Sequence, residues 1–331
     1  MPELDALLTQ VDASFDDLLA LEEALVRIPS INTGVMPTGN ETPVAELARD
    51  WLAAAGIESE ILERAPGRGN LIARINGTSE KTGLLFMSHL DVVPVEDESK
   101  WRFPPFSATI ADGRLYGRGA FDCKGLLAAQ MMAMRILARN GVKLRDGLIL
   151  ASGADEEHGG RYGFGWLARE HPDKIAAPFA INEGGGTPLT TGGVLTYTLG
   201  VGEKGRLQVE IEVKGDSAHA SVPWLGVNAM YRLSQVISRI EAYEPELDTS
   251  AAFFDHLPSL AIEHKVTPEN VDIVIEEVHG ENRSVASMMK GHSRMTVTPA
   301  MVRGGVKSNS VPESACVHAI FAPCPIRTWR T

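Results

Sequence analysis

The chain has 331 residues, 44% hydrophobic and 22% charged, which suits a globular core and excludes disordered or collagen-like chains. Lys and Arg number 31 against 43 Asp and Glu, and the formal net charge of −12 argues against a nucleic-acid binder, which needs a basic face. The length suits roughly two domains at about 100–200 residues each. Met1-Pro2-Glu3-Leu4-Asp5 has no basic region followed by an apolar run, so no signal peptide is expected. The longest apolar stretch, Leu126 to Ala138, is broken by Gln130 and Arg135, and no bilayer span is expected. Cys123, Cys316 and Cys324 are odd in number and widely spaced, which points to a reducing cytoplasm rather than a disulfide framework or a cysteine zinc site.

In chain order, Ser14 is placed to cap a helix whose apolar positions Leu18, Leu19, Leu21 and Leu25 fall largely on one face. Thr42-Pro43 starts a second helix that runs to about Ala55 and stops at Gly56. Strands are predicted at Ile57–Leu62, Asn70–Ile75 and Gly83–Ser88. A helix from Lys124 to Asn140 ends at Gly141. A strand at Leu148–Ser152, a helix near Phe164–Glu170 and a strand at Pro178–Ile181 follow. Alternating strands and helices imply an α/β fold with a largely parallel, twisted sheet covered by helices. From about residue 200 the pattern changes. Arg206–Lys214 alternates apolar and polar residues as a half-exposed antiparallel strand does. A helix at about Val227–Tyr243 and a further alternating strand at Val271–Val278 complete a smaller α+β domain.

Five segments at or just after predicted strand ends carry reactive side chains, and ligand sites of open α/β sheets lie at such ends. His89 and Asp91 are two apart and share one side of an extended chain, suiting a metal-ligating histidine beside a carboxylate. Alone, His89 reads equally as an ordinary strand-end histidine. Asp122, after Gly117-Arg118-Gly119, reads alone as a helix cap. Asp155-Glu156-Glu157 reads alone as a solvated turn, although adjacent like charges are costly unless cations neutralise them. Glu183 precedes flexible glycines, and His219 follows the second domain's first strand. Together, a histidine and carboxylates recurring at successive strand ends, without thiolate, fit a hydrolytic zinc, cobalt or manganese site. Cys123 reads as a small buried residue.

These residues fall in text that resembles a known family, the dinuclear zinc enzymes that include acetylornithine deacetylase, succinyl-diaminopimelate desuccinylase, aminoacylase and glutamate carboxypeptidase. The matching segments are His89-Leu90-Asp91-Val92-Val93-Pro94, Trp101 with Pro104-Pro105-Phe106, Asp112-Gly113 and Tyr116-Gly117-Arg118-Gly119. Asp122, Lys124-Gly125, Asp155-Glu156-Glu157, Gly202-Glu203-Lys204-Gly205, Ala218-His219 with Pro223, and Asn228-Ala229 follow in order. The resemblance, from about residue 15 to about residue 319, implies a zinc-exopeptidase-like α/β fold with an inserted α+β lid that dimerises. It implies two zinc ions, or cobalt or manganese, with His89 and Glu183 on one, Glu157 on the other and Asp122 bridging. Asp91 would orient His89, and Glu156 would be general base on a metal-bridging water. His219 would stabilise the oxyanion and Asn309 would contact substrate. The activity implied is hydrolysis of an amide bond in N-acyl amino acids or short peptides, by a cytoplasmic homodimer with no nucleic-acid or membrane partner.

The expected division is a catalytic segment at 1–199, a lid at 200–319 and an aberrant tail at 320–331, the rest of the catalytic domain being missing. The second metal then lacks the histidine that the family supplies after its lid. Read one base out of frame, with one permitted choice of wobble bases, the text from Ala319 gives Asp-Ile-Arg and then a proline, as the family does. A frameshift near Ala319 and a premature end are therefore expected, with a divergent short tail as the alternative. An inactive fragment that keeps only its fold and lid pairing is the competing functional reading.

Overall fold

The computed structural model describes residues 4–184, 186, 188–198 and 204–323. The chain divides into two compact units, one ending at Glu183 and one starting at Gly184. The expected boundary at 199/200 lies outside the described residues, as do Gly185, Gly202, Glu203, Cys324 and the tail from 324 onward.

In the first unit, helices α1 (Leu4–Ala13), α2 (Phe15–Val26) and α3 (Thr42–Ala53) lead into strands β1 (Glu58–Glu63), β2 (Gly69–Ile75) and β3 (Thr82–His89). A hairpin, β4 (Thr109–Ala111) and β5 (Arg114–Tyr116), precedes helix α4 (Gly125–Arg139) and strand β6 (Gly147–Gly153). Helices α5 (Phe164–Glu170) and α6 (Pro172–Ile175) then lead to β7 (Ala180–Ile181). Local chemistry sets these limits. Proline opens α3, and Gly56 and Gly141, at φ 72° and 59°, follow α3 and α4 in the left-handed conformation that stops a helix. Ser14 stands at the N-cap of α2 but makes no side-chain capping bond.

The sheet order is β1-β2-β6-β3-β7. It is mixed. The parallel pairing expected from the sequence holds for β6, β3 and β7, while β2 pairs antiparallel with both β1 and β6. Strand β6 is central and wholly buried. Its side chains alternate, so Leu148 and Leu150 pack with Leu25, Leu52, Leu127 and Met131 of the helices on one face. Ile149 and Ala151 pack with Ile72, Leu85 and Leu167 on the other. Burial on both faces fixes the register, because a one-residue slip would exchange every pair.

The second unit opens with a hairpin, β8 (Pro188–Thr191) and β9 (Val194–Tyr197). Strand β10 (Leu207–Lys214) and helix α7 (Ala229–Glu241) follow, then helices α8 (Ala252–Asp255), α9 (Val271–Glu281) and α10 (Arg283–Ser293). Strands β11 (Thr296–Gly304) and β12 (Ser314–Ala322) complete an antiparallel sheet of order β10-β12-β11. Helix α7 covers one face of it through Ala229, Leu233, Ala315 and Val317. A second cluster joins Leu189, Phe254, Leu257, Val274, Val285 and Met289.

The strand expected at Val271–Val278 is helix α9. Its apolar residues satisfy two periods, and the helical one wins: Val271, Val274, Ile275 and Val278 are buried, while Ile273 is 62% exposed. Ile320 and Phe321, expected as the start of an aberrant tail, continue β12 in register with both neighbours, Ala322 pairs with β11, and Ala319 is fully buried. Among the described residues, no helix is long and apolar enough to cross a membrane.

Candidate metal centre

Because β3, β6 and β7 are parallel, their carboxyl ends emerge on one side of the first unit. His89 ends β3, Asp155-Glu156-Glu157 follow β6 and Glu183 follows β7. Asp122 arrives from the turn before α4. That turn needs Gly119: its φ is 83°, and a Cβ there would meet Val92 Cγ1 at 2.5 Å.

His89 is the buried centre of the group. Its Nδ1 lies 2.9 Å from the backbone carbonyl of Asp91, which fixes the ring, and 3.6 Å from the Asp91 carboxylate. Its Nε2 faces Asp122 at 2.8 Å, Glu183 at 3.3 Å and Glu156 at 3.9 Å. Both the carbonyl and, farther off, the carboxylate of Asp91 face Nδ1. The Asp91 carboxylate also accepts the N–H of Glu156 at 3.0 Å and of Glu157 at 3.1 Å, holding the turn that presents both acids.

A buried network that the sequence reading missed supports that turn. Asn32 Nδ2 donates to Asp91 at 2.8 Å and to Asp155 at 3.0 Å. Arg68 donates to both oxygens of Glu41, at 2.8 and 2.7 Å, and to Asp155 at 3.1 Å. Asp155 has a left-handed backbone, φ 65°, and its N–H donates to Glu41 at 3.2 Å. Burial pushes the Glu41 carboxyl up to about 6 against the pull of Arg68, so the pair stays ionised at neutral pH. The available signal was an arginine between Gly67 and Gly69, directly before a strand whose first five residues are all buried.

Electrostatics follow from three carboxylates meeting one imidazole. Burial alone would lower the His89 pKa, but bonds to Asp91, Cys123 and Glu183 outweigh it and hold the ring well above its usual range. The imidazolium in turn holds Glu183 below the ordinary carboxylate range. Asp91 is also low, its bonds to His89 and Asn32 outweighing burial. Glu156 is raised by burial and by neighbouring carboxylates, against the pull of His89. Glu157 is raised to about 7, by burial first and the Asp122 charge second.

The pocket favours positive charge and fits a cation. Ligand atoms of His89, Asp122, Cys123 and Glu183 all lie within 4.8 Å of one another. A nitrogen and two carboxylates are donors suited to a divalent transition ion. Cys123 was not expected among the donors. Its Sγ accepts the His89 N–H at 3.1 Å, and burial raises its pKa, which keeps it a neutral thiol and a poor ligand beside carboxylates. Glu157 lies outside this cluster. Beneath it, Lys124 Nζ donates to the carbonyls of Leu25 at 3.0 Å and Ile28 at 2.7 Å, and burial lowers it to about 7.

His219 and Asn309 belong to the second unit, where they are neighbours. His219 bridges Ser310, and the Ala220 N–H donates to the Asn309 carbonyl at 2.9 Å. Both are exposed, and His219 Nδ1 lies 2.8 Å from Ser221 Oγ.

Residues 85–298 match the family described as Peptidase family M20/M25/M40, and the chain belongs to that family. It is 33% identical over 262 residues to carboxypeptidase S of Saccharomyces cerevisiae, covering 70% of this chain and 43% of that protein. It is 28% identical over 302 residues to a probable succinyl-diaminopimelate desuccinylase of Staphylococcus epidermidis, covering 91% of this chain and 66% of that protein. The chain thus spans less than two thirds of the length of these relatives. Its fold is similar to that of an M20 family metallo-carboxypeptidase, Sso-CP2, from Sulfolobus solfataricus, with TM-score 0.66, 23% identity, and coverage of 95% of this chain and 72% of that one. It is also similar to that of a di-peptidase, Dug1p, from Saccharomyces cerevisiae, with TM-score 0.70, 14% identity, and coverage of 98% and 73%.

Proposed function

We propose that this chain carries the metal-binding part of a dinuclear zinc amidohydrolase that cleaves the amide bond of an N-acyl amino acid or a short peptide. The observation that carries this reading is the meeting of His89, Asp122 and Glu183 within 4.8 Å, with Glu156 3.9 Å from the same imidazole nitrogen. In this reading His89 and Glu183 hold one ion, Asp122 bridges, and Glu157 serves the second. When bound, the ions polarise the scissile carbonyl and acidify water at the site. Glu156 takes a proton at its carboxylate from the attacking water and returns it to the leaving amine nitrogen. Its raised pKa suits both halves of that task. Asp91 keeps the imidazole in one orientation and the Glu156–Glu157 turn in one conformation. His219 is assigned to the developing oxyanion and Asn309 to the substrate. A homodimer joined through the second unit, in the cytoplasm, belongs to the same reading.

The test loads metal-stripped protein with zinc, cobalt or manganese and assays a panel of N-acyl amino acids and dipeptides, with metal content measured alongside. The expected result is bound metal and hydrolysis that Glu156→Gln lowers by about 10²–10⁴ without loss of metal. Metal bound with no hydrolysis across the panel, identical in the variant, would overturn the reading in favour of an inactive chain.

A further inference from the structure

We propose that Glu210, Cys316 and His318 form a second metal site, built wholly within the second unit and selective for zinc-class divalent ions. The three lie on the face of the β10-β12-β11 sheet opposite the one that α7 covers. On β12, Ala315, Val317 and Ala319 are buried on the helix side, and the pleat turns Cys316 and His318 together to the other. Glu210 of β10 stands directly across from His318 in the ladder, where facing side chains meet. Ligand atoms of all three lie within 4.8 Å of one another, and His318 Nε2 is 3.8 Å from the Glu210 carboxylate. Donors around a tetrahedral zinc stand about 3.3–3.6 Å apart, so these need draw in by only about 1 Å.

The donors are available. Among the described residues neither the Cys316 thiol nor the His318 ring makes a hydrogen bond; His318 faces Glu210, and Glu212 and Arg303 stand across from Cys316 in the two ladders. His318 is 19% exposed, so its ring is held against the sheet while an edge stays open. A thiolate, an imidazole and a carboxylate together select zinc and its cadmium and cobalt analogues over calcium or magnesium, which prefer all-oxygen sites. One donor comes from β10 and two from β12, so the ion cross-links the two strands, and water completes its shell. The inference is independent of the hydrolytic reading, because no residue of that centre takes part.

The test needs no assay of activity. Metal-stripped protein is alkylated with iodoacetamide with and without zinc, and the rate at Cys316 is followed by peptide mass spectrometry. With zinc about tenfold above its Kd, alkylation of Cys316 slows about tenfold, since only the metal-free thiol reacts. His318→Ala removes that protection. In a parallel cadmium titration, the near-ultraviolet cadmium–thiolate band is lost in Cys316→Ser and kept in Cys123→Ser. Equal alkylation rates with and without zinc overturn the site, as does protection undiminished in both His318→Ala and Glu210→Gln. A band that follows Cys123 instead overturns it too, by moving the thiol ligand to the first unit.

Discussion

Asp91 does two jobs at once. Its carbonyl and, farther off, its carboxylate face Nδ1 of His89, and the carboxylate also gathers the N–H groups of Glu156 and Glu157. Glu156 and Glu157 are therefore held close to other carboxylates, and burial and those neighbours raise both. Glu157 shows this most clearly, with its carboxyl at about 7. An acid raised in the folded state is protonated below that pH and ionised above it, and only the ionised form binds a cation. If Glu157 serves the second ion, as proposed, metal uptake there releases a proton, and the affinity contributed by Glu157 is expected to be about tenfold weaker at pH 6 than at pH 8. The sign for the metal-free fold is opposite. The folded chain holds the Glu157 proton more tightly than the unfolded chain, so this group's contribution to stability falls as pH rises from about 4.5 to about 7. A chelator competition at the two pH values checks the metal prediction, and a pH-independent affinity contradicts it.

At the scale of elements, the Glu41–Arg68–Asp155 network joins the start of α3, the start of β2 and the turn after β6. Arg68→Met leaves two carboxylates buried without their cation, and a loss of about 3–5 kcal/mol in urea unfolding is expected. A loss under about 1 kcal/mol would mean that Asn32 and the backbone donors suffice. Helix α9 supplies a sharper contrast. In a strand, Val271, Ile273 and Ile275 would share a face; in the helix, Ile273 points outward and Val274 inward. Ile273→Asp is expected to change stability by no more than about 0.5 kcal/mol. Val274→Asp buries a charge among Leu257, Val285 and Met289, and is expected to unfold that cluster. Equal effects of the two substitutions would contradict the helix.

The whole molecule has a separate core in each unit. Leu127 is fully buried in the first and Leu257 in the second. Units with their own cores unfold as distinct steps when the contacts between them are weaker than those within. Calorimetry should therefore resolve two transitions. Leu127→Ala lowers one and Leu257→Ala the other, each by about 2–5 kcal/mol at its own step. A single transition lowered by both would mean that the units unfold together. Zinc carried by the second unit would raise its transition independently of the carboxylate centre.

The residues that converge on His89 were legible in the sequence because His89, Glu156 and Glu183 close or follow a strand, while Asp122 precedes a helix in glycine-rich text. Hydrophobic runs locate strands, and a parallel arrangement carries their carboxyl ends to one side. That argument reached His89, Asp122, Glu156 and Glu183 from local patterns, with the family resemblance assigning their roles. The helical identity of α9 was not legible, since an eight-residue apolar pattern satisfied both periods and only packing against α10 decided between them. Nor were Asn32, Glu41 and Arg68, whose partners stand 27 to 123 residues away and become neighbours only when the sheet closes. The same holds for Glu210 with Cys316 and His318, which the β10–β12 register alone brings together. The sequence by itself determined the five strands of the first unit's main sheet and the reactive side chains that end them, because those follow from side-chain hydrophobicity and spacing along one segment; β4, β5, β8, β9, β11 and β12 were not legible in it. The tertiary structure decided how Asp91 holds the histidine, which buried charges brace the acidic turn and which strands face each other. Those depend on distances between segments, set by packing and register rather than by any local pattern.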